Sequence, residues 1–112
     1  MMKEANIILA RLPQSDGQLK RRPALALRAM PPFGDWLVCG LSTKTQQQVI
    51  GFDELITPVD ADYASSGLMN DSLIRLGYLT VVPKKQILGI IGSVSDVRHK
   101  RLLRKLSEHL VR

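Results

Sequence analysis

The sequence predicts a mainly β fold, a small twisted sheet or barrel capped by one C-terminal α-helix. Three observations predict it. Short apolar runs alternate with Pro, Gly and Asp punctuation along most of the chain. Glycines interrupt a β-branched segment near the end, as corners of small barrels require. Helical periodicity is confined to the last stretch. The chain has 112 residues, the size of one ordinary domain, so residues 1–112 are expected to form a single unit.

Asn6 to Leu12, NIILARL, reads as a short buried strand. A polar loop follows, with a turn signal at Asp16-Gly17. Pro23 is expected to open the next strand, ALALRAM, where a missing N–H costs no ladder bond. There Leu25 and Leu27 share one face, and Ala24, Ala26 and Arg28 the other. After the break MPPFGD, Trp36 to Leu41 is apolar at nearly every residue and should be covered on both faces. A weaker strand runs through VIGFDELI. The stretch TPVDADYASSGLMNDS is too polar and broken for a helix, and SLIRLGYL, TVVP and QILGIIGSVS complete the strands. Ser95 then caps a helix, with Asp96 in its first turn. Its apolar stripe is Val97, Leu103, Leu106, Leu110 and Val111, and Arg98, Lys100, Arg101, Arg104 and Lys105 face away from it.

Composition narrows the function. Net charge is +6, which favours polyanionic partners. Aromatic residues make up only 4%, too few for a broad base-stacking platform, so contact with a nucleic acid strand would lean on phosphates. No apolar run approaches the roughly 18–20 residues of a membrane span. The N-terminus lacks the pattern of a secretory signal, so no membrane association and a cytoplasmic location are expected. Cys39, the single cysteine, lies in WLVCGL and reads as a small core residue. His99 and His109 sit about 80° short of three helical turns apart, so they are expected to be solvated or capping rather than metal ligands. Phosphate-loop, GxSxG and HExxH signatures are all absent; neither a metal site nor a cofactor is predicted.

One polar constellation stands out. Lys20, Arg21 and Arg22 gather directly before Pro23, which holds Arg22 extended on a backbone about to be buried. A guanidinium on such a backbone can grip a phosphate bidentately. The apolar run of WLVCGL ends in Ser42-Thr43, whose hydroxyls can satisfy loose backbone groups or donate to a phosphate. If the two strands pair antiparallel, Arg22 and Ser42 meet at one rim.

NIILARLPQSDGQLKRRPALAL, WLVCGLST and NDSLIRLGYL, in that order, resemble the MazF/PemK family of toxin endoribonucleases. That family shows an opening strand, a loop leading into Arg-Pro-(Ala/Val)-Leu-Val, a strand ending in Ile-Thr-Ser, and a later strand after a polar loop. The resemblance implies an SH3-like barrel with a C-terminal helix and a homodimer. It implies metal-independent cleavage of single-stranded RNA, and an antitoxin protein that blocks the RNA groove. It places Arg22 on the family's catalytic arginine, Ser42 on its active-site threonine, and Arg75 on a position that is arginine in some active members. Lys20, Arg21, Thr43 and Lys44 are the expected RNA contacts around them. The chain departs from the pattern at Glu4-Ala5, where the family has Gly-Asp, and at Ser42 itself. It also departs at Gly77, where many members carry an acid two positions beyond Arg75, and at Leu79 to Val82. Gly77 keeps a second expectation open: a barrel that binds RNA or a protein partner without cutting. A structural or DNA-regulatory barrel is the third.

Overall fold

A computed structural model describes residues 1–112. Six strands form one antiparallel sheet: β1 (Asn6–Pro13), β2 (Leu19–Met30), β3 (Asp35–Ser42), β4 (Glu54–Ile56), β5 (Ser72–Val82) and β6 (Ile87–Ser93). Their spatial order is β4-β5-β3-β2-β1-β6, so β3 and β2 are central. A one-turn helix α1 (Tyr63–Ser66) lies between β4 and β5, and α2 (Asp96–Leu110) ends the chain. The sheet curls into a half-barrel, as the sequence predicts. No helix is long and apolar enough to cross a membrane.

Alternation along the central strands creates two apolar faces. Ile7, Leu25, Leu27, Cys39 and Leu41 point to one core, closed by Leu102 and Leu106 of α2. Ile8, Ala10, Leu12, Ala24, Ala26, Trp36 and Val38 point to a second core inside the curl. β3 is therefore covered on both faces, as its nearly continuous apolar run requires. Cys39 is fully buried in the first core, and burial pushes its thiol up to about 12.

Several elements differ from the sequence expectation. Pro23 does not open its strand. β2 starts at Leu19 and pairs with β1 through Leu9↔Pro23. What begins one residue after the proline is the ladder with β3, at Ala24↔Gly40, so the missing N–H still falls outside that ladder. Arg21 and Lys20 consequently belong to a strand, not a loop. SLIRLGYL and TVVP form one strand, β5, interrupted by a bulge: Gly40 pairs with Arg75, but Cys39 with Leu79. Of VIGFDELI only Glu54–Ile56 pairs, because Asp53 Oδ2 accepts the Val49 N–H and closes a turn instead. α1 forms in the stretch expected to lack helix. It ends at Gly67 in the left-handed region and packs against β6, where a side chain at Gly92 would collide with the backbone of Ser65 and Ser66. The glycines of β6 do accompany irregular pairing, with register shifts opposite Ile7/Ile8 and Leu9/Ala10.

α2 begins where predicted, with Ser95 Oγ accepting the Arg98 N–H at 3.1 Å. Its buried face is different. Val97, Leu110 and Val111 are exposed, while Arg98, His99, Leu102 and Leu106 are buried. Arg98 turns inward because β4 and the turn before α1 bring carboxylates to meet it: Glu54 at 2.8 Å and Asp62 at 2.9 Å. Arg101 and Lys105 reach the same Glu54. Burial alone would raise the Glu54 carboxyl, but hydrogen bonds from Arg101 and Lys105 override it and hold the group at about 2. His99 is not solvated. Its Nε2 lies 2.8 Å from the Leu27 carbonyl, which can only accept, so the ring donates there. His109 is exposed and lies against Phe52, ring centroids 4.9 Å apart.

Candidate functional site

The second core opens at one end of the curl. Each strand bounding it follows the period of two, apolar until the rim and then polar. β1 runs Ile8, Ala10, Leu12 and continues to Gln14; β2 runs inward from Arg22 to Ala24 and Ala26; β3 runs Trp36, Val38, Gly40, Ser42. Carried two residues past Gly40↔Ala24, the β2–β3 register sets Ser42 across from Arg22. On the other side of β3, Gly40 pairs with Arg75. The result is a cleft of about 510 Å3 lined by Gln14 and Leu12 of β1 and its turn, Arg22 and Pro23 of β2, and Gly40 to Ser42 of β3. Thr43, Lys44 and Gln47 follow β3 along its wall, and Ser72, Arg75 and Tyr78 of β5 close it.

Five of the seven residues singled out in the sequence meet here: Arg22, Ser42, Thr43, Lys44 and Arg75. Lys20 and Arg21 do not line the cleft. Lys20 stands beyond Arg22 beside Asp16, at 3.9 Å, and Arg21 points to the opposite face, paired in register with Arg11. No carboxylate or imidazole lines the cleft, so Arg22, Lys44 and Arg75 face it with no acidic partner. The molecule's ion pairs lie elsewhere, at Asp16, Glu4 and the carboxylates around Arg98. Three cations without counter-charges, in a concave site, make an anion-binding surface. No group of three or more His, Cys, Asp or Glu side chains is arranged to hold a metal ion.

Local bonds fix the geometry. Ser42 Oγ accepts the Lys44 N–H at 3.0 Å, which orients the hydroxyl and leaves its proton to donate into the cleft. Arg22 Nη1 donates to the Arg21 carbonyl at 3.0 Å. Sequence reasoning missed Gln14, Gln47, Ser72 and Tyr78. Gln14 was legible from alternation along β1, whereas Tyr78 sits in the β5 bulge, where alternation fails. Its ring stands over Gly40, whose Cβ would lie 3.2 Å from it. Its hydroxyl donates to the Pro13 carbonyl, tying β5 to the end of β1. Desolvation raises the phenol above its ordinary range, against the opposing charge of Arg75. Asp53, buried behind the cleft, accepts the Leu76 N–H at 3.1 Å and so supports the backbone next to Arg75. Gly77 projects from the bulge into open space and lines no part of the cleft.

Residues 3–110 match a family model described as the PemK-like, MazF-like toxin of type II toxin-antitoxin systems. Among solved structures, the Mycobacterium tuberculosis toxin MazF-mt6 is similar in fold. The two share 18% identity over 94% of this chain and 95% of that one, with a TM-score of 0.69. No curated protein matches the chain in sequence.

Proposed function

The chain belongs to the PemK-like, MazF-like toxin family of type II toxin–antitoxin systems, and from that premise we propose that it is an endoribonuclease cutting single-stranded RNA in the cleft between β2, β3 and β5. One observation carries the proposal: two arginines, a lysine and an oriented hydroxyl surround one cleft that contains no acid. A phosphodiester fits that set by charge and by hydrogen-bond polarity.

The reaction is attack of a ribose 2′-oxygen on the adjacent phosphorus. The bond from phosphorus to the 2′-oxygen forms as the bond to the 5′-oxygen breaks, leaving a cyclic phosphate and a 5′-hydroxyl end. The 2′-hydroxyl loses its proton and the leaving 5′-oxygen gains one. Arg22 and Arg75 stabilise charge building on the phosphoryl oxygens, and Arg22 relays the proton. Ser42 donates to a non-bridging oxygen. Preorganised donors of this kind are worth roughly 2–4 kcal/mol each. Lys44 and Thr43 hold the strand on one side, and Lys20 and Arg21 steer it from outside the cleft.

The non-cutting alternative rested on Gly77. Gly77 itself is not among the residues that line the cleft, and the proposal places the chemistry on Arg22, Ser42 and Arg75, which are. The partners that follow from the family are an antitoxin chain, whose acidic residues would meet the cationic cleft, and a second copy of the toxin. Purified protein incubated with a defined single-stranded RNA tests the activity, with and without chelator. Fragments ending in 2′,3′-cyclic phosphate and 5′-hydroxyl are expected under both conditions. Intact RNA at every protein concentration would return the non-cutting barrel.

A further inference from the structure

A second recess adjoins the cleft. β3 delivers Thr43 to the rim, and β5 begins beside it at Ser72, since Ser42 pairs with Leu73. Thr43 therefore forms a wall common to both spaces. The recess, about 580 Å3, is otherwise lined by Pro58, Tyr63, Met69, Asn70 and Asp71. That volume falls in the roughly 300–1,000 Å3 range of small-molecule sites. Its walls differ in kind from those of the cleft. They hold no cation; they offer an aromatic ring, a thioether and a proline beside one carboxamide and one carboxylate.

Asp71 is the unusual member. The carboxylates of Asp53, Glu54, Asp60 and Asp62 are all engaged by donors of the fold; Asp35, Asp96 and Glu108 also lack a donor but line neither the cleft nor the recess. Asp71 is exposed at the edge of a cationic cleft and meets no donor of the chain. Placed there, it repels a phosphate, so a strand lying across this rim offers it hydrogen-bond donors instead: a ribose 2′-hydroxyl can give one to a single oxygen, and paired N–H groups can fill both. Nucleobases are the part of a strand that has them. Adenine and cytosine each put one amino donor beside an acceptor on the pairing edge, and uracil flanks its one N–H with two carbonyls. Guanine alone presents two adjacent donors, N1–H and the N2 amino group, which match both oxygens of an acceptor-only carboxylate. Single-stranded bases are read in this way, splayed out against an apolar or aromatic wall.

Resting on the RNA reading of the cleft, we infer that this recess seats the base next to the scissile phosphate and that Asp71 selects guanine in it. Tyr63 and Met69 pack the base, and Thr43 joins it to the phosphate.

The test uses a randomised single-stranded RNA pool cut by the parent and by Asp71→Asn, with the new 5′ ends sequenced. Guanine at one fixed position beside the cut is expected for the parent. Among the cuts that Asp71→Asn makes, roughly tenfold of that guanine preference is expected to be lost, as one oxygen becomes a donor. Replacing that guanine with inosine, which lacks the amino group, should slow the parent roughly tenfold and the variant far less. The inosine arm needs no variant, so it decides the matter even if Asp71→Asn misfolds. A parent that cuts without guanine, or a preference unchanged by either substitution, overturns this inference alone. A parent that neither cuts nor binds the pool overturns the RNA reading and this inference with it.

Discussion

Arg22 and Arg21 are neighbours in sequence and opposites in the fold, and the difference is one of strand parity. Arg22 faces the cleft with Gly40 and Ser42 at hand, whereas Arg21 faces out beside Arg11. Arg22→Ala should slow RNA cleavage on the order of 100-fold, the loss of a transition-state donor worth ~3 kcal/mol, with a melting temperature near the parent's. Arg21→Ala should leave the cleavage rate at saturating RNA unchanged and shallow the salt dependence of binding by about 0.7, one phosphate contact on a single strand. Cleavage lost in Arg21→Ala and kept in Arg22→Ala would mean the wrong arginine is assigned. Tyr78→Phe tests the tie across the cleft. The ring stays over Gly40, but the hydroxyl no longer holds the Pro13 carbonyl. A neutral hydrogen bond is worth ~1 kcal/mol, so cleavage should fall about fivefold as the β1 end loosens. A parental rate would show that the tie does nothing for the site. Arg22 and Ser42 were legible in the sequence because motif and strand end mark them, and Arg75 through the family resemblance alone. Tyr78 was not, because a bulge destroys the parity from which facing is read.

At the scale of elements, α2 shows where periodicity misleads. Its cap at Ser95 was legible, since capping is local chemistry. Its buried face was not, because Arg98 points inward only once Glu54 and Asp62, 44 and 36 residues away, have been brought to it. An apolar stripe drawn without that long-range partner rotates the helix and wrongly buries Val97. The cluster predicts a pH dependence. Glu54 titrates at about 2 in the fold against an ordinary 4.5. A depressed carboxyl stabilises the fold above its unfolded value, and that contribution is lost as pH falls through the folded value. The melting temperature should therefore drop between pH 4.5 and 2, and Glu54→Gln should flatten part of the drop. Asp62, also held low, supplies the remainder: burial opposes its ionisation, but hydrogen bonds from Arg98 and the Ser95 N–H prevail. An unaltered pH profile in Glu54→Gln would remove Glu54 from this role. The β6 glycines offer a second contrast. Gly92→Ala drives a methyl into the backbone of α1, whereas Gly89→Ala meets nothing within 4 Å. Chemical denaturation should show Gly92→Ala strongly destabilised and Gly89→Ala within about 1 kcal/mol of the parent.

For the whole molecule, the sheet order places an apolar strand at an edge that α1 covers only over Ile91–Ser93. β6 exposes Leu88, Ile90 and Ile91 there, each more than a third accessible. Edges of this kind are covered in stable proteins, and a second copy of the chain is the proposed cover. Sedimentation should give twice the chain mass at micromolar concentration, and a monomer at every concentration would leave the edge bare. The half-barrel itself was legible from punctuation and alternation, both of which are local. Its curl and its β4-β5-β3-β2-β1-β6 order depend on pairings between distant segments that no local pattern states. The central claim is that this curl ends in a phosphate-cleaving cleft. End-group analysis of a defined single-stranded RNA, incubated with the parent and with Arg22→Ala, tests it most directly. The parent should release fragments with 2′,3′-cyclic phosphate and 5′-hydroxyl ends, on the order of 100-fold faster than an equally folded Arg22→Ala. RNA left intact by the parent, or cut at the same rate by both proteins, would contradict it.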